Sequence, residues 1–526
     1  MSDPRVKKYI PQALNDVGRI REKVLRRAGE LYSGEMLSKL CNRIEKELKV
    51  LKNKETAFIF VIIEELMNKC GLSSFDISVG GDAASLMICY LMGISNYDPI
   101  NITPYFSLYN KDGFTFSIKV PANKYSYIVN KLNELEGIEK VVRVDNFRGG
   151  LLLIPKNICA DGFFDIRHDN FGEYIDSAEY LDKRDLFYKL DVIPSKDLQL
   201  LDSLKTASGD LLEDIDTAYL DILKLFYSTE SLGFNEQEIK GVENGIIGIQ
   251  NLTELLNIEM PRNIDFDDIC RLKGLLLGGD TYCNNAKILM EQDGIDISEI
   301  VTTKEDMFDY LLRYDVPEEN VLSICNKIAA GNGLCHGDEE TLLLYGVPQY
   351  YIDSCKKIKY LHSRALVSSD IIVDFMLLYF KLHYSEIFYA EYINIFGSDK
   401  LKKVLACNRY EEFLAYKEQI ERQHISSSAY YEEYYNILVV QEMYRRNRVV
   451  VKYPKDRESD GAKYYTLEEI VESKDISSDD KIWIIHDKLC TYLFQLELHL
   501  NIFSDEEFEN VVSKIKKIRD AIWKIK

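Results

Sequence analysis

The chain has 526 residues, 46% of them hydrophobic and 29% charged, enough to bury a large core and divide into two or three domains. No stretch approaches the apolar run that spans a bilayer and the polar N-terminus carries no signal-peptide pattern, so a cytoplasmic protein with no membrane partner is expected. The net charge of −21 works against nonspecific attachment to nucleic acid but leaves room for a local basic groove, and 11 singly scattered cysteines without a C-x-x-C pair argue against a zinc site or a disulfide framework.

Residues 4–70 read as helices. Leu37, Leu40, Ile44, Leu48 and Leu51 recur at three- and four-residue steps, with Arg43, Lys46 and Lys49 on the other side. Phe58 to Met67 continues as a buried helix or a strand, which periodicity does not decide. Over 77–99 a strand, the Gly80-Gly81 turn and a helix are predicted, with Ser85 among the small residues after the turn. Free N–H groups at a helix start attract phosphate, although a Gly-Gly pair more often just serves a tight turn. Residues 105–129 read as a hairpin: Phe114, Phe116, Ile118 and Val120 alternate along one strand, and Asp112-Gly113 is a turn signal.

The region 266–393 is a run of helices punctuated by Gly278-Gly279, Gly331-x-Gly333 and Val347-Pro348. Lys356, Lys357 and Lys359 crowd one turn of it. Residues 400–452 are helical and end in Arg445, Arg446 and Arg448. A basic turn is more often a solvated face than a nucleic-acid contact. Residues 455–463 read as a linker, and 481–500 with 504–526 as a helical hairpin whose Ser504 and Glu507 form a capping box. The seven histidines are dispersed, none at metal-ligand spacing, so no metal site is expected from them.

The order of these phrases is more specific than their chemistry. The string YIDSCKKIKY (351–360), the pattern of Gly274, Leu275, Gly278, Asp280, Asn285 and Ala286, and the YFKLHY phrase (379–384) resemble the fingers of the Gram-positive, PolC-type DNA polymerase III alpha subunit. RIEKEL (43–48) with FIFVIIEELMNK (58–69) is similar to that family's entry into its palm, FRGGLLLIP (147–155) to a palm strand, and FYKLDVIP (187–194) to the strand bearing its third catalytic carboxylate. The resemblance covers residues from about 20 to about 455. It implies an α+β, mostly helical protein with a polymerase-beta-like nucleotidyltransferase palm, large helical fingers and the thumb deleted. The expected domains are 1–204 (N-terminal helices and palm), 205–454 (fingers) and 455–526 (linker and C-terminal hairpin).

The departures bear on activity. Family enzymes hold two Mg²⁺ ions on carboxylates, because hard cations take oxygen ligands. Aligned through Phe116-Ser117, Lys111 and Gly113 stand where the family has its paired aspartates. Asp112 lies between them, on the opposite strand face, and a one-residue slip would bring in Asp112 but not a pair. An ammonium about 4 Å from a dication adds roughly 8 kcal/mol of repulsion at intermediate dielectric. Asp191 matches the third carboxylate and is the only family carboxylate retained. Gly80, Gly81 and Ser85 match the nucleotide-phosphate turn, but Val79 replaces its arginine and Asp82 adds an anion. Leu276 and Leu277 replace a Ser-His pair, Ala330 and Asn332 replace lysines, and Leu366 and Asp370 replace a histidine and a tyrosine. Only a couple of residues separate 129–146 from 147–155, where the family inserts its thumb.

The expectation is a catalytically inactive PolC-like core acting as a DNA- or replisome-binding scaffold. Two alternatives stay open: a pure protein-interaction factor that competes with or modulates a bacterial host's replicative polymerase, and a DNA-directed DNA polymerase with residual metal-dependent nucleotidyl transfer. No cofactor is expected, and Mg²⁺ only if residual polymerase activity exists. Lys356, Lys357, Lys359, Arg364, Arg445, Arg446 and Arg448 are the candidate DNA contacts, to single strand or primer–template. The oligomeric state stays open.

Overall fold

The protein is described here from a computed structural model. It describes residues 9–11, 14–101, 116–145, 149–156, 158–169, 172–184, 186–234, 242–258, 260, 263–406, 410–422 and 428–446. Lys111, Asp112, Gly113, Arg448, the linker at 455–463 and the C-terminal hairpin lie outside the described residues.

Among the described residues three α-helices come first, α1 (Val17–Leu31), α2 (Gly34–Asn53) and α3 (Ala57–Cys70). On α2 the periodic residues Leu40, Ile44, Leu48 and Leu51 are buried as their spacing predicts. Burial runs unbroken from Ala57 to Glu64 on α3, which is why its periodicity was uninformative: a helix covered on all sides has no polar stripe.

Among the described residues seven strands follow in one mixed sheet: β1 (Ser78–Gly80), β2 (Ser117–Pro121), β3 (Ile138–Val144), β4 (Gly150–Pro155), β5 (Arg167–Asp169), β6 (Gly172–Ile175) and β7 (Tyr188–Ser195). Their order across the sheet is β1-β2-β7-β4-β3-β6-β5. The β2–β7 and β3–β6 pairs are parallel and the others antiparallel. Alternation divides the side chains. Ile118, Val120, Leu151, Leu153, Leu190 and Val192 join the core built by α1–α3, whereas Val142, Val144, Leu152 and Ile154 pack with Phe164 and Phe187.

The hairpin expected over 105–129 needs correction. Residues 102–115 lie outside the described residues. Beyond Pro121 the strand gives way to a 3-10 turn (Ala122–Lys124) and a helix, Tyr125–Asn133, not to more strand. Ile128 and Leu132, four apart, bury one face of that helix, so the YSYIV phrase has period 3.6 rather than 2.

The chain forms two compact units. The first comprises Met1–Asp202, Leu212–Tyr219 and Asn263–Met376, and the second Ser203–Leu211, Leu220–Arg262 and Leu377–Lys526. In the first unit the helices Lys304–Leu312, Glu318–Ala329, His336–Leu344 and Gln349–Lys357 surround their own core of Phe308, Leu311, Ile324, Ile328, Leu342 and Ile352. In the second, Lys381 and Glu442 are fully buried as an ion pair at 2.7 Å. Lys381 also donates to the carbonyls of Gly245 and Ile247 at 2.7 and 2.6 Å, and Tyr389 donates to Glu442 at 2.6 Å. The architecture is thus α+β with helix dominant.

Candidate functional site at the Gly-Gly turn

Asp191 sits in the middle of the sheet, opposite Ser117 of β2 on one side and Gly150 of β4 on the other. Residues two apart on a strand share a face, so Lys189 lies on the same side as Asp191, and its ammonium is bonded to Oδ1 of that carboxylate. Lys119, two beyond Ser117, likewise shares Ser117's face of the sheet. It meets Oδ2 of Asp370, from the first turns of the helix Arg364–His383, at 2.5 Å. Oδ1 of Asp370 accepts from the Ser78 hydroxyl at 2.5 Å. Burial draws the Lys119 pKa down, but the Asp370 carboxylate outweighs it and the net shift is upward.

The strand and the Gly-Gly turn are as the sequence predicts, but a 3-10 turn stands where the helix was expected to start, and the helix Met87–Leu91 begins only after it. β1 ends at Gly80, Gly81 takes φ +81°, and a 3-10 turn spans Asp82–Ser85. What surrounds it was not foreseen. A Cβ on Gly80 would lie 2.5 Å from Ser117 Oγ and 2.8 Å from Leu366 Cδ1, so Leu366 packs directly on the turn. The Val79 N–H donates to Ser369 Oγ at 3.3 Å, and that hydroxyl donates to Asn96 at 2.8 Å. Behind the turn, Arg43 bonds the Ser85 carbonyl and Glu47, both at 2.9 Å. Glu47, fully buried, accepts from the N–H groups of Met87 and Ile88 at 3.2 and 3.1 Å. Burial pushes the Glu47 carboxyl pKa up, opposed by Arg43. Arg43 was expected on the side opposite the leucines; only its helical phase was legible, not the carbonyls it reaches.

Arg448 aside, which lies outside the described residues, the basic candidates are engaged within the protein. Lys356 bonds Glu339 at 2.6 Å and Asp353 at 3.4 Å, Lys357 donates to the Asn284 carbonyl at 3.0 Å, and Lys359 pairs with Asp280 at 2.5 Å. Lys357 and Lys359 also line a cleft with Leu276, Tyr282 and Cys283. Arg364 is 6% exposed, and its guanidinium faces Asp267 at 2.6 Å and Asp306 at 2.5 Å rather than solvent. Arg446 donates to the carbonyls of Leu232 and Lys381 and to the Tyr389 hydroxyl, and Arg445 is also engaged.

Residues 18–117 match the family model for the bacterial DNA polymerase III alpha NTPase domain. The PolC-type DNA polymerase III of Bacillus subtilis (strain 168) is 30% identical over 258 residues, which is 48% of this chain and 18% of that protein. That of Clostridium perfringens is 26% identical over 281 residues, 52% of this chain and 19% of its own. The chain is PolC-like over about half its length. A longer match, 23% identical over 500 positions, joins 76% of this PolC-like chain to 36% of the Thermotoga maritima enzyme. Those 500 positions exceed the share of this chain they engage, so parts of that relative fall opposite gaps here. The chain thus spans well under two thirds of the length of the PolC-type relatives it matches.

The PolC resemblance implies Mg²⁺; of the positions it assigns to the metal, Lys111 and Gly113 lie outside the described residues and Asp191 is described. Among the described residues no group of three or more His, Cys, Asp or Glu could hold a metal ion. Asp191 already carries an ammonium, and a lysine beside a dication is repelled by it. Sequence reasoning singled out Leu366 and Asp370 as departures but missed Lys119, Ser78 and Glu47. The alternation of Ser117 and Lys119 with Phe116, Ile118 and Val120 marks which face Lys119 takes, but nothing local marks its partner. Among the described residues no helix is long and apolar enough to cross a membrane.

Proposed function

We propose that this chain is a catalytically inactive PolC-like polymerase core, its sheet a polymerase-beta-like palm without nucleotidyl transfer, serving as a scaffold that binds DNA or replisome proteins. The observation that carries the reading is at Gly80. Leu366 packs on the turn where the resemblance puts the nucleotide phosphates, and Asp370 beside it is tied to Ser78 and Lys119. A phosphate entering there would have to displace a packed side chain and approach a carboxylate. Lys111 and Gly113, at the positions of the paired aspartates, add the wrong chemistry for Mg²⁺.

The test is primer extension with the whole chain and with the Lys111→Asp/Gly113→Asp double variant. Neither is expected to extend a primer, because the turn stays filled; robust extension by either would overturn the reading. Binding to labelled primer–template and to the matching single strand, titrated with salt, then separates the kinds of scaffold. Steep weakening with salt means several phosphates are contacted. A second reading, a pure protein-interaction factor, is favoured by the engagement of Lys356 and Lys359 with carboxylates on a chain of net charge −21. Absence of DNA binding at low salt selects it.

A further inference from the structure

Leu343, Leu344 and Tyr345 are 47%, 81% and 37% exposed. Among the described residues no other three consecutive positions are all large, apolar and this exposed. Large apolar residues scattered singly on a surface are ordinary, whereas three in succession at a helix end concentrate exposed apolar area in one place.

The run is held in place from both ends. It closes the helix His336–Leu344, whose Leu342 is fully buried, so the next positions are turned away from that core by the helical repeat. At the other end of the helix Asp338 accepts from the Cys335 N–H at 3.0 Å and from Lys327 at 2.8 Å. Beyond the run Gly346 takes φ +77°, and Val347, 3% exposed, re-enters the core before the helix Gln349–Lys357. The apolar residues therefore sit on a fixed surface rather than at a fraying end.

The rim is acidic. Glu339 and Glu340 precede Leu343 and Leu344 by four residues, one helical turn away on the same surface. Glu339 and Asp353 share the Lys356 ammonium, leaving three carboxylates to one ammonium, with His336 3.3 Å from Glu340. A second copy of this chain is a poor occupant, because pairing would bring like rims together on chains of net charge −21 each. DNA is equally poor, since an apolar patch ringed by carboxylates repels phosphate. What complements apolar residues inside an acidic rim is a helix with one apolar face and lysines or arginines flanking it.

We propose that the Leu343–Leu344–Tyr345 surface docks a basic, amphipathic helical segment of a partner protein. The proposal deepens the scaffold reading by naming a partner class, and rests on it for the idea that this chain works by binding. Its test does not pass through catalysis, so failure here leaves the primer-extension result standing.

The test uses the whole chain and a fluorescent peptide of about 18 residues, with leucines at helical i, i+3, i+4, i+7 spacing and lysines elsewhere. Controls are a scrambled peptide of the same composition, a peptide of the same spacing with glutamates for lysines, and labelled single-stranded DNA. The patterned lysine peptide is expected to bind and the controls to bind about tenfold more weakly or not at all. The L343S/L344S variant, altered only at exposed positions and checked by circular dichroism, should lose about tenfold in affinity. E340K keeps the apolar residues and should weaken the lysine peptide while improving the glutamate one. Equal binding of the scrambled peptide, or unchanged affinity of both variants, would overturn the proposal. So would concentration-dependent dimers abolished by L343S/L344S, which would assign the surface to a second copy, or single-stranded DNA competing with the peptide there.

Discussion

The Asp370 carboxylate is shared by the Ser78 hydroxyl and the Lys119 ammonium, each at 2.5 Å, so one side chain from the helix Arg364–His383 ties both β1 and β2. Asp370 is 5% exposed, and losing Lys119 would leave it a buried, half-satisfied anion. Lys119→Met should lower unfolding free energy by about 2–3 kcal/mol, less than for a fully dry pair because the lysine is partly exposed. Lys119→Met/Asp370→Asn, which keeps the Ser78 bond without the stranded charge, should recover part of that loss. Urea unfolding of the single and double variants checks it, and simple additivity would show that the two side chains act independently.

Gly149, just before β4, has φ +76°, and a Cβ there would lie 2.3 Å from the Val192 carbonyl oxygen on the neighbouring strand β7. The clash is with backbone that accepts no new rotamer, and the φ is unfavourable as well. Gly149→Ala should cost at least about 2 kcal/mol. Gly80→Ala meets only the tips of Ser117 and Leu366, so it should cost less, about 1 kcal/mol, and Leu366→Ala should relieve it. Thermal melts of Gly149→Ala, Gly80→Ala, Leu366→Ala and the Gly80→Ala/Leu366→Ala double variant measure both contrasts. Equal costs at the two glycines would contradict this account.

These two glycines also mark how far the sequence could be read. Helices with a polar stripe, such as Gly34–Asn53, were legible from period, the Gly80-Gly81 turn from its glycine pair, and the strand bearing Asp191 through the family resemblance. Tyr125–Asn133 was misread because a short helix directly after a strand continues its apolar alternation for a few residues. The partners of Lys119, Arg43 and Arg364 were not legible at all. Asp370 is more than two hundred positions from Lys119, and a basic residue near a glycine turn looks the same in one dimension whether it faces a phosphate or a carboxylate. What distinguishes them is burial, which only the fold supplies.

In the second unit, Lys381 is fully buried with its ammonium bonded to Glu442 and two carbonyls. Burial lowers its pKa to about 8. Lys381→Met would strand the Glu442 carboxylate in the core with Tyr389 as its remaining side-chain donor, a loss of about 3–5 kcal/mol. Lys381→Met/Glu442→Gln removes the stranded charge and should be clearly more stable than Lys381→Met alone. Denaturant titration decides: a double variant as unstable as the single one would mean the carbonyls of Gly245 and Ile247, not the charge, set the cost.

Glu305 gives the protein a pH dependence opposite to that of most carboxylates. It is 3% exposed, and it accepts from the Arg364 N–H at 2.7 Å, capping the start of the helix that carries Leu366 and Asp370. Burial raises its pKa from 4.5 to about 7, against the Arg364 N–H, its own N–H and nearby Lys304, with Asp306 adding to the rise. Between pH 4.5 and 7 the folded protein holds a proton that the unfolded chain releases. This group's contribution therefore is largest below 4.5, falls as pH rises to 7 and is flat above. The full swing is about 3 kcal/mol. Glu305→Gln keeps an acceptor for Arg364 and removes the titration. Compared by unfolding at pH 5 and pH 8, wild type should lose stability relative to Glu305→Gln on going to the higher pH; parallel curves would mean that Glu305 is already ionised in the folded protein at pH 5, as it is in the unfolded chain.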